Sequence, residues 1–437
     1  MFAYYLDLAA RSLRRSAGLT ALIIMAIGFG VAGSMTMYSV FRGLSADPIP
    51  WKSSRLFMPQ IDALGPGHRD DGEPPVNLTY TDAMELMRQH RAAYQSAIIQ
   101  MWRAVMPSDG QGGDSIIDTR GYAVYGEFFP MLDVPFLYGR AWSADDDTKK
   151  APVAVISDHL NRQLFGGGDN VGKTLVMNGH VFRIVGILKY WNPRPAYFGG
   201  LRYTLEEPDF FLSLPFVLGS DIIKNQQAEC ANGSDPGTNF AALLRSNCVW
   251  LSFMAELDSA TAVQNYQQFL TAYASQQQQL GRFNWSPNVR LYDVPAFLDR
   301  QQVVPVNSRV SLLVAQGLLL VCLVNTVGLL LAKFLRRSGE IGVRRALGAS
   351  RSAIYAQFLT EAAIIGIGGG VVGLMLTAIG VVSLGAVIPE KYAVLARIDP
   401  ALLALTLLLA LVSTLLAASY PVYRASRVPP ALQLKAQ

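Results

Sequence analysis

The chain has 437 residues, of which 51% are apolar and only 16% charged, and its net charge is +5. That composition, with a mean hydropathy of +0.26, points to a membrane protein holding two or three domains. The basic surplus flanks the apolar runs, whereas the middle of the chain carries more acids than bases, so the positive charge is no sign of a nucleic-acid surface.

Residues 1–16 read as an amphipathic helix. Leu6, Ala9, Ala10 and Leu13 share one face, and Arg11, Arg14 and Arg15 are offered to lipid headgroups. An equally good reading is a plain basic orientation signal. The apolar run 17–41 follows, and its length of about 24 residues exceeds the roughly 7–15 of a cleavable signal core, so a retained span is expected. Three more runs, at 309–335, 353–388 and 400–422, each reach the roughly 20 residues needed to cross a bilayer as helices. Lys333, Arg336, Arg337, Arg344, Arg345 and Arg351 crowd the segment 336–352 and its edges, and Arg424, Arg427 and Lys435 follow the last run in the tail 423–437. By the positive-inside rule both termini and the 336–352 segment are cytoplasmic, while residues 42–308 and the short loop 389–399 face outward.

The outward region alternates strand and helix signals. It opens on the Pro- and Gly-rich stretch 63–75, then a helix is expected over 81–89, and residues 122–129 lead to a turn at Tyr138-Gly139-Arg140-Ala141. A buried strand is expected over 152–157 and a helix over 159–165. A hairpin over 174–177 and 181–188 is joined by Asn178-Gly179-His180, another strand covers 250–257, and a helix covers 260–280. Mixed strands and helices imply an α+β region of two subdomains. Cys230 and Cys248 lie in this outward region and are expected to pair in an oxidising compartment, whereas Cys322 lies in the second span as a packing residue.

Gly167 to Thr174 satisfies the phosphate-loop spelling G-x-x-x-x-G-K-[ST]. That loop needs a strand before it and a helix after it, so that amides and the helix dipole converge on phosphate. Here the expected order is reversed, which favours a turn over nucleotide binding. The four histidines, His68, His90, His159 and His180, have no metal-ligand spacing, Asp70-Asp71 and Asp145-Asp146-Asp147 sit in polar turns, and Ser157 lacks a nucleophile-elbow context. No catalytic constellation is apparent.

Within the spans, Gln316, Asn325 and Thr326 place polar groups that should face another helix. The stretch from Gly366 through Gly370 to Gly373 includes small-xxx-small spacing in span three, consistent either with packing inside the chain or with a subunit interface. Glu361, near one end of span three, should seek a basic partner, with Arg344 or Arg345 in reach, or a water at headgroup level. A proton relay is the sharper alternative.

The residues 325–333, Arg337, Glu340-Ile341-Gly342-Val343-Arg344, Ala346-Leu347-Gly348-Ala349-Ser350-Arg351 and Phe358-Leu359-Thr360-Glu361 closely resemble the region between the second and third spans of FtsX/MacB-type ABC permeases. The ending from Tyr420-Pro421 to Ala431-Leu432 is similar to that family's close. The stretches Gly139-Arg140, 152–157, Leu164-Phe165-Gly166, Gly172-Lys173-Thr174-Leu175 and Val185-Gly186-Ile187-Leu188 are similar to the MacB-like periplasmic core. The resemblance implies an α-helical membrane protein with four transmembrane helices and a large α+β extracytoplasmic domain inserted between helices 1 and 2. It also implies a coupling segment that meets a cytoplasmic ABC ATPase, for which Glu340, Ile341, Val343, Arg344, Arg345 and Leu347 are the candidate residues. Glu340 near the start of a short helix and Arg344 and Arg345 further along suit its dipole, and Ile341, Val343 and Leu347 are expected to fill an apolar groove on the partner.

The expectation is therefore a non-catalytic permease subunit in a bacterial inner membrane, paired with a second copy or a paralogue. ATP and Mg would be bound by a separate ATPase, since only about 16 residues precede the first span. MacB-like tripartite export with a periplasmic adaptor and an outer-membrane channel is the leading role. The same fold serving lipoprotein release or control of cell-wall hydrolases is the alternative, and a membrane-tethered sensor or enzyme a distant third.

Overall fold

A computed structural model of the chain describes residues 8, 11–13, 15–45, 47–68, 71–107, 117–199, 207–223, 227–231, 236, 237, 239–302, 306–387 and 400–426. Most of the expected 1–16 helix, the 389–399 loop and the tail beyond 426 lie outside the described residues. The chain divides into two compact units, residues 46–303 and residues 1–45 with 304–437.

In chain order the elements begin with α1 (Ala17–Ser45), β1 (Leu56–Ile61), α2 (Tyr80–Gln89), β2 (Tyr94–Pro107), β3 (Ile117–Val124), α3 (Phe128–Met131), β4 (Phe136–Gly139) and α4 (Ala144–Thr148). They continue with β5 (Val153–Ser157), α5 (Asp158–Phe165), β6 (Thr174–Met177), β7 (His180–Leu188), β8 (Phe210–Ser213), α6 (Leu214–Gly219), α7 (Phe240–Leu243) and β9 (Ser252–Glu256). The series closes with α8 (Ala260–Gln279), β10 (Val289–Asp293), α9 (Val294–Arg300), α10 (Val306–Leu335), α11 (Ser338–Ala346), α12 (Arg351–Val387) and α13 (Pro400–Ser426).

The 46–303 unit is built on one ten-stranded sheet, ordered β10-β1-β9-β2-β3-β8-β5-β7-β4, with β6 bridging β2 and β7. That bridge closes β2, β3, β8, β5, β7 and β6 into a ring, while β10, β1 and β9 extend from the other end of β2. The two expected subdomains are therefore two lobes of one hydrogen-bonded sheet, sharing β2. Residues 94–98 of β2 pair with β9, and Val105, Met106 and Pro107 pair with β6. The β6–β7 hairpin turns through Asn178 and Gly179 alone, at φ 47° and 80°, the two positive angles of a type I′ turn. His180 already belongs to β7, opposite Met177. Tyr138 and Gly139 end strand β4 instead of forming a turn. A Cβ on Gly139 would stand 2.3 Å from the Val185 carbonyl oxygen, so glycine lets β4 approach β7.

Side-chain caps set the helix starts. Thr79, Ser143, Ser157, Ser259 and Asp293 each accept a backbone N–H in the first turn of α2, α4, α5, α8 and α9, and Ser143 with Asp146 completes a capping box. Apolar residues of the sheet and its helices form two buried clusters, one of them dense in aromatic rings around Phe128, Phe129, Phe198 and Phe211.

Asp82 and Asp147 are two of the buried carboxylates that organise polar contacts in this unit. Asp82 has no exposed surface and is held by Thr79 Oγ1, Tyr273 Oη at 2.7 Å and both terminal nitrogens of Arg282. Asp147 accepts from the Gly126 amide at 2.7 Å, the Trp142 indole N–H at 2.9 Å and the Ser213 hydroxyl at 3.1 Å. Burial nonetheless pushes the Asp147 carboxyl up to about 6, against the pull of those donors.

In the second unit, four helices among the described residues are long and apolar enough to cross a membrane: Ala17–Arg42, Arg309–Leu335, Arg351–Ser383 and Leu403–Arg424. The chain is thus a multi-pass membrane protein with a large α+β domain inserted between its first and second spans. The first span is the central one, with 50% of its apolar window buried against 28–39% for the others. Glycines set the close approaches. A Cβ on Gly369 would lie 2.7 Å from Ile27 and one on Gly28 2.7 Å from Val372, so α1 and α12 meet nearly backbone to backbone. Gly373 faces Val31 of α1, while Gly366 faces Thr414 and Gly370 faces Leu407 and Ala410 of α13. The small residues of span three are thereby divided between two neighbours within the chain.

Replacing Asp82 by Asn removes the charge that compensates a guanidinium only 16% exposed. It is expected to cost about 3–5 kcal/mol, read as an earlier urea transition of tryptophan fluorescence. For Asp147 the raised pKa means that the folded state binds the proton more tightly than the unfolded one. Its contribution is full below about pH 4 and is lost as pH rises through about 6. Hydrogen exchange of the peptide spanning residues 126–147, corrected for intrinsic rates, should show opening becoming easier across that window. In Asp147→Asn that part of the slope should vanish.

Candidate functional site

The short helix α11 lies between the second and third spans. Glu340 in its first turn and Arg344 and Arg345 in its last complement the helix dipole. Gly348, at φ 98°, ends it. The Ala349 amide returns to the Arg344 carbonyl at 3.0 Å and the Gly348 amide to the Arg345 carbonyl at 3.1 Å, a Schellman stop. Ser350 then caps α12 through the Ala353 amide.

The six residues expected to meet a partner divide into three groups. Ile341 is buried, 4% exposed, in a cluster with Ile354 and Phe358 of α12 and Phe334 of α10. The expectation that it fills a groove on another protein is corrected: it is the peg that seats α11 on its own chain. Val343 and Leu347 are 58% and 83% exposed, one turn apart on the opposite face. Glu340 and Arg344 are paired with each other at 2.7 Å, and Arg345 is half-buried. Glu340 also takes the Arg337 guanidinium at 3.0 Å, and Arg344 reaches Gln357 Oε1 at 2.8 Å.

Arg337 continues this chain of charge inward. Its Nη1 donates to Glu361 Oε2 at 3.1 Å and to Ser12 Oγ at 2.5 Å. Glu361, with no exposed surface, takes Lys333 Nζ at 2.8 Å and the Ser12 hydroxyl at 2.7 Å on its other oxygen. Lys333, 2% exposed, also donates to Thr20 Oγ1 at 2.9 Å. The expectation that Arg344 or Arg345 would neutralise Glu361 is therefore corrected. Arg344 is held one helical turn away at Gln357, while Lys333 and Arg337, themselves one turn apart, present both cations to Glu361. Ser12, Thr20, Lys333, Arg337 and Gln357 are site residues missing from the expected set. The i,i+4 pairs Lys333/Arg337 and Gln357/Glu361 were the available signal.

Asn325 and Gln316 are exposed on α10, not turned toward another helix of the chain, whereas Thr326 is fully buried and donates to the Cys322 carbonyl at 2.8 Å. Cys230 and Cys248 are joined by a disulfide, and Cys322 is a half-buried free thiol. The phosphate-loop spelling follows helix α5 and leads into the β6–β7 hairpin. Three of its amides are already engaged within the chain: Val171 N bonds Asp169, Gly172 N the Ile184 carbonyl and Lys173 N the Asn170 carbonyl, and the helix that a phosphate cradle needs after it is replaced by a strand. His68, His90 and His180 each pair with a single carboxylate, of Glu229, Glu127 and Asp221.

Residues 20–283 match the MacB-like periplasmic core domain and residues 312–430 the FtsX-like permease C-terminal domain. The macrolide export ATP-binding/permease protein MacB of Rhodospirillum rubrum is 25% identical, over 100% of this chain and 61% of its own. An uncharacterized ABC transporter permease, YvrN of Bacillus subtilis, is 26% identical over 81% of both chains. The pyoverdine export ATP-binding/permease protein PvdT of Pseudomonas savastanoi is 25% identical over 82% of this chain and 48% of its own. The chain thus spans about half to three fifths of the length of these export proteins. The periplasmic region of MacB from Actinobacillus actinomycetemcomitans aligns with 59% of this chain and 96% of its own at 13% identity and a TM-score of 0.37. With both matched regions in the order that the four spans and the inserted sheet domain require, the chain belongs to the FtsX/MacB-type ABC transporter permeases.

Proposed function

We propose that this chain is the membrane subunit through which a separate ATP-hydrolysing partner drives an extracytoplasmic domain, in export of the MacB type. One observation carries the reading. Helix α11 offers Val343 and Leu347 outward while Ile341 and the Arg337–Glu340–Arg344 charges fix its other face to the spans. A rigidly backed apolar knob is suited to receive a push from a partner and pass it on. A knob on a flexible loop would yield instead.

The basic flanks of the spans support cytoplasmic termini and a cytoplasmic α11 in an inner membrane. ATP and Mg then belong to the partner, and the sheet domain works on the far side. A second copy or a paralogue completes the permease pair, and a periplasmic adaptor and an outer-membrane channel complete the route outward. Export is supported by the roles that MacB and PvdT carry in their names, macrolide and pyoverdine export.

The Val343→Asp/Leu347→Asp pair changes two exposed residues and is expected to leave folding within about 0.5 kcal/mol. The same change should abolish retention of the ATPase on the purified, detergent-solubilised chain. Undiminished co-purification would refute the docking assignment. Ile341→Ala should show the opposite pattern, losing about 2–4 kcal/mol of stability through its cavity, read as a lower melting temperature before any partner is added.

A further inference from the structure

The charge cluster around Glu361 does more than neutralise itself. Its carboxylate touches three separate parts of the membrane unit at once: Ser12 before the first span, Lys333 at the end of the second, and Arg337 just ahead of α11. Lys333 extends the same grip to Thr20 inside the first span, and Arg337 extends it to Glu340 within α11. Glu361 stands on α12, ten residues beyond its first residue Arg351, so motion of α11 reaches it along the helix as well as through Arg337.

We propose that Glu361 is a positioning residue that clamps the segment before the first span to α11, so that a displacement of α11 is delivered to the first and second spans together. This rests on α11 being the ATPase contact. The first span is the central helix of its unit and runs on covalently into the sheet domain, whose far end returns covalently into the second. Moving the two spans together transmits a displacement to the domain, whereas moving only one twists it. Charge is essential to the clamp. Lys333 and Ser12 donate to one oxygen of Glu361 and Arg337 to the other, so a carboxamide there would turn an N–H toward a donor and leave a cation buried without compensation.

The test uses spin labels on Arg15→Cys and Gly339→Cys in the full chain with Cys322→Ala. Both label sites are exposed, and a Cβ at Gly339 meets nothing within 4 Å. In detergent without ATPase, the label distance should be single and narrow, and Glu361→Gln should broaden it into more than one population. Glu361→Asp, which retains the carboxylate, should restore most of the narrow component. In the complex with the ATPase, trapping with ATP and vanadate should leave the distance unchanged in the parent chain and shift it in Glu361→Gln, because α11 then moves without its companion.

An unchanged, narrow distance in Glu361→Gln in both states overturns the proposal. So does a shift in the parent chain on trapping, or broadening in Glu361→Gln without any nucleotide-dependent difference, which is what a purely structural role gives. Should Glu361→Gln fail to fold, Ser12→Ala removes the hydroxyl that joins the segment before the first span to both Glu361 and Arg337 while leaving the ion pairs in place, and should also broaden the distance; no broadening overturns the clamp. If no ATPase associates with the parent chain, the permease reading fails, while the ATPase-free comparison still decides the clamp.

Discussion

A carboxylate with no exposed surface, set among membrane-spanning helices, is the constraint around which one unit of this protein is arranged. Transferring an isolated ion of that size to a low-dielectric interior has an idealised cost on the order of 20 kcal/mol, and even after relaxation several kcal/mol remain. Glu361 is tolerated because Lys333, Arg337 and Ser12 converge on its two oxygens. Those partners come from different helices, so the bundle end near α11 has little freedom: any rearrangement that withdraws one partner strands a charge. An apolar contact of the same area would permit sliding, whereas this cluster permits only concerted displacement or rupture.

The rest of the bundle follows a different rule. Between apolar helices in lipid there is no hydrophobic drive, and close backbone approach takes its place. The glycines of α12 serve two neighbours, Gly369 and Gly373 toward α1, Gly366 and Gly370 toward α13. Its remaining face carries Ile367, Val371, Met375 and Ile379 in an exposed aliphatic stripe suited to acyl chains. One helix thus holds two packing seams, one exposed apolar face and the buried carboxylate toward its α11 end.

Much of this was legible in the sequence because it is written in local signals. Run length gives the four spans, and the Asn178-Gly179 pair gives the hairpin. The α11 segment is legible as a charged interruption between apolar runs. Side-chain partners were not legible, since they depend on rotation about helix axes: Ile341 and Val343 look alike in sequence and point oppositely. Strand β1 escaped notice because Leu56 to Ile61 is buried on both faces, without alternation, and contains Pro59. Proline is tolerated there because β9 pairs only with Leu56 and Phe57, so no ladder bond on that side is missing. Strands β8 and β10 are short, and pairings across long separations define them.

The sharing of β2 between two lobes bears on how the chain emerges from the ribosome. Every strand of the closed ring lies within residues 94–213, so the ring can complete its hydrogen bonds while the remainder is still being synthesised. The residues of β2 that belong to the other lobe must wait for β9, at residues 252–256, and β1 must wait longer still for β10. Until then their backbone groups form an open edge of the kind that invites pairing with a foreign strand. The first lobe is therefore a template laid down early, and the second is assembled on it last, just before the second span is made.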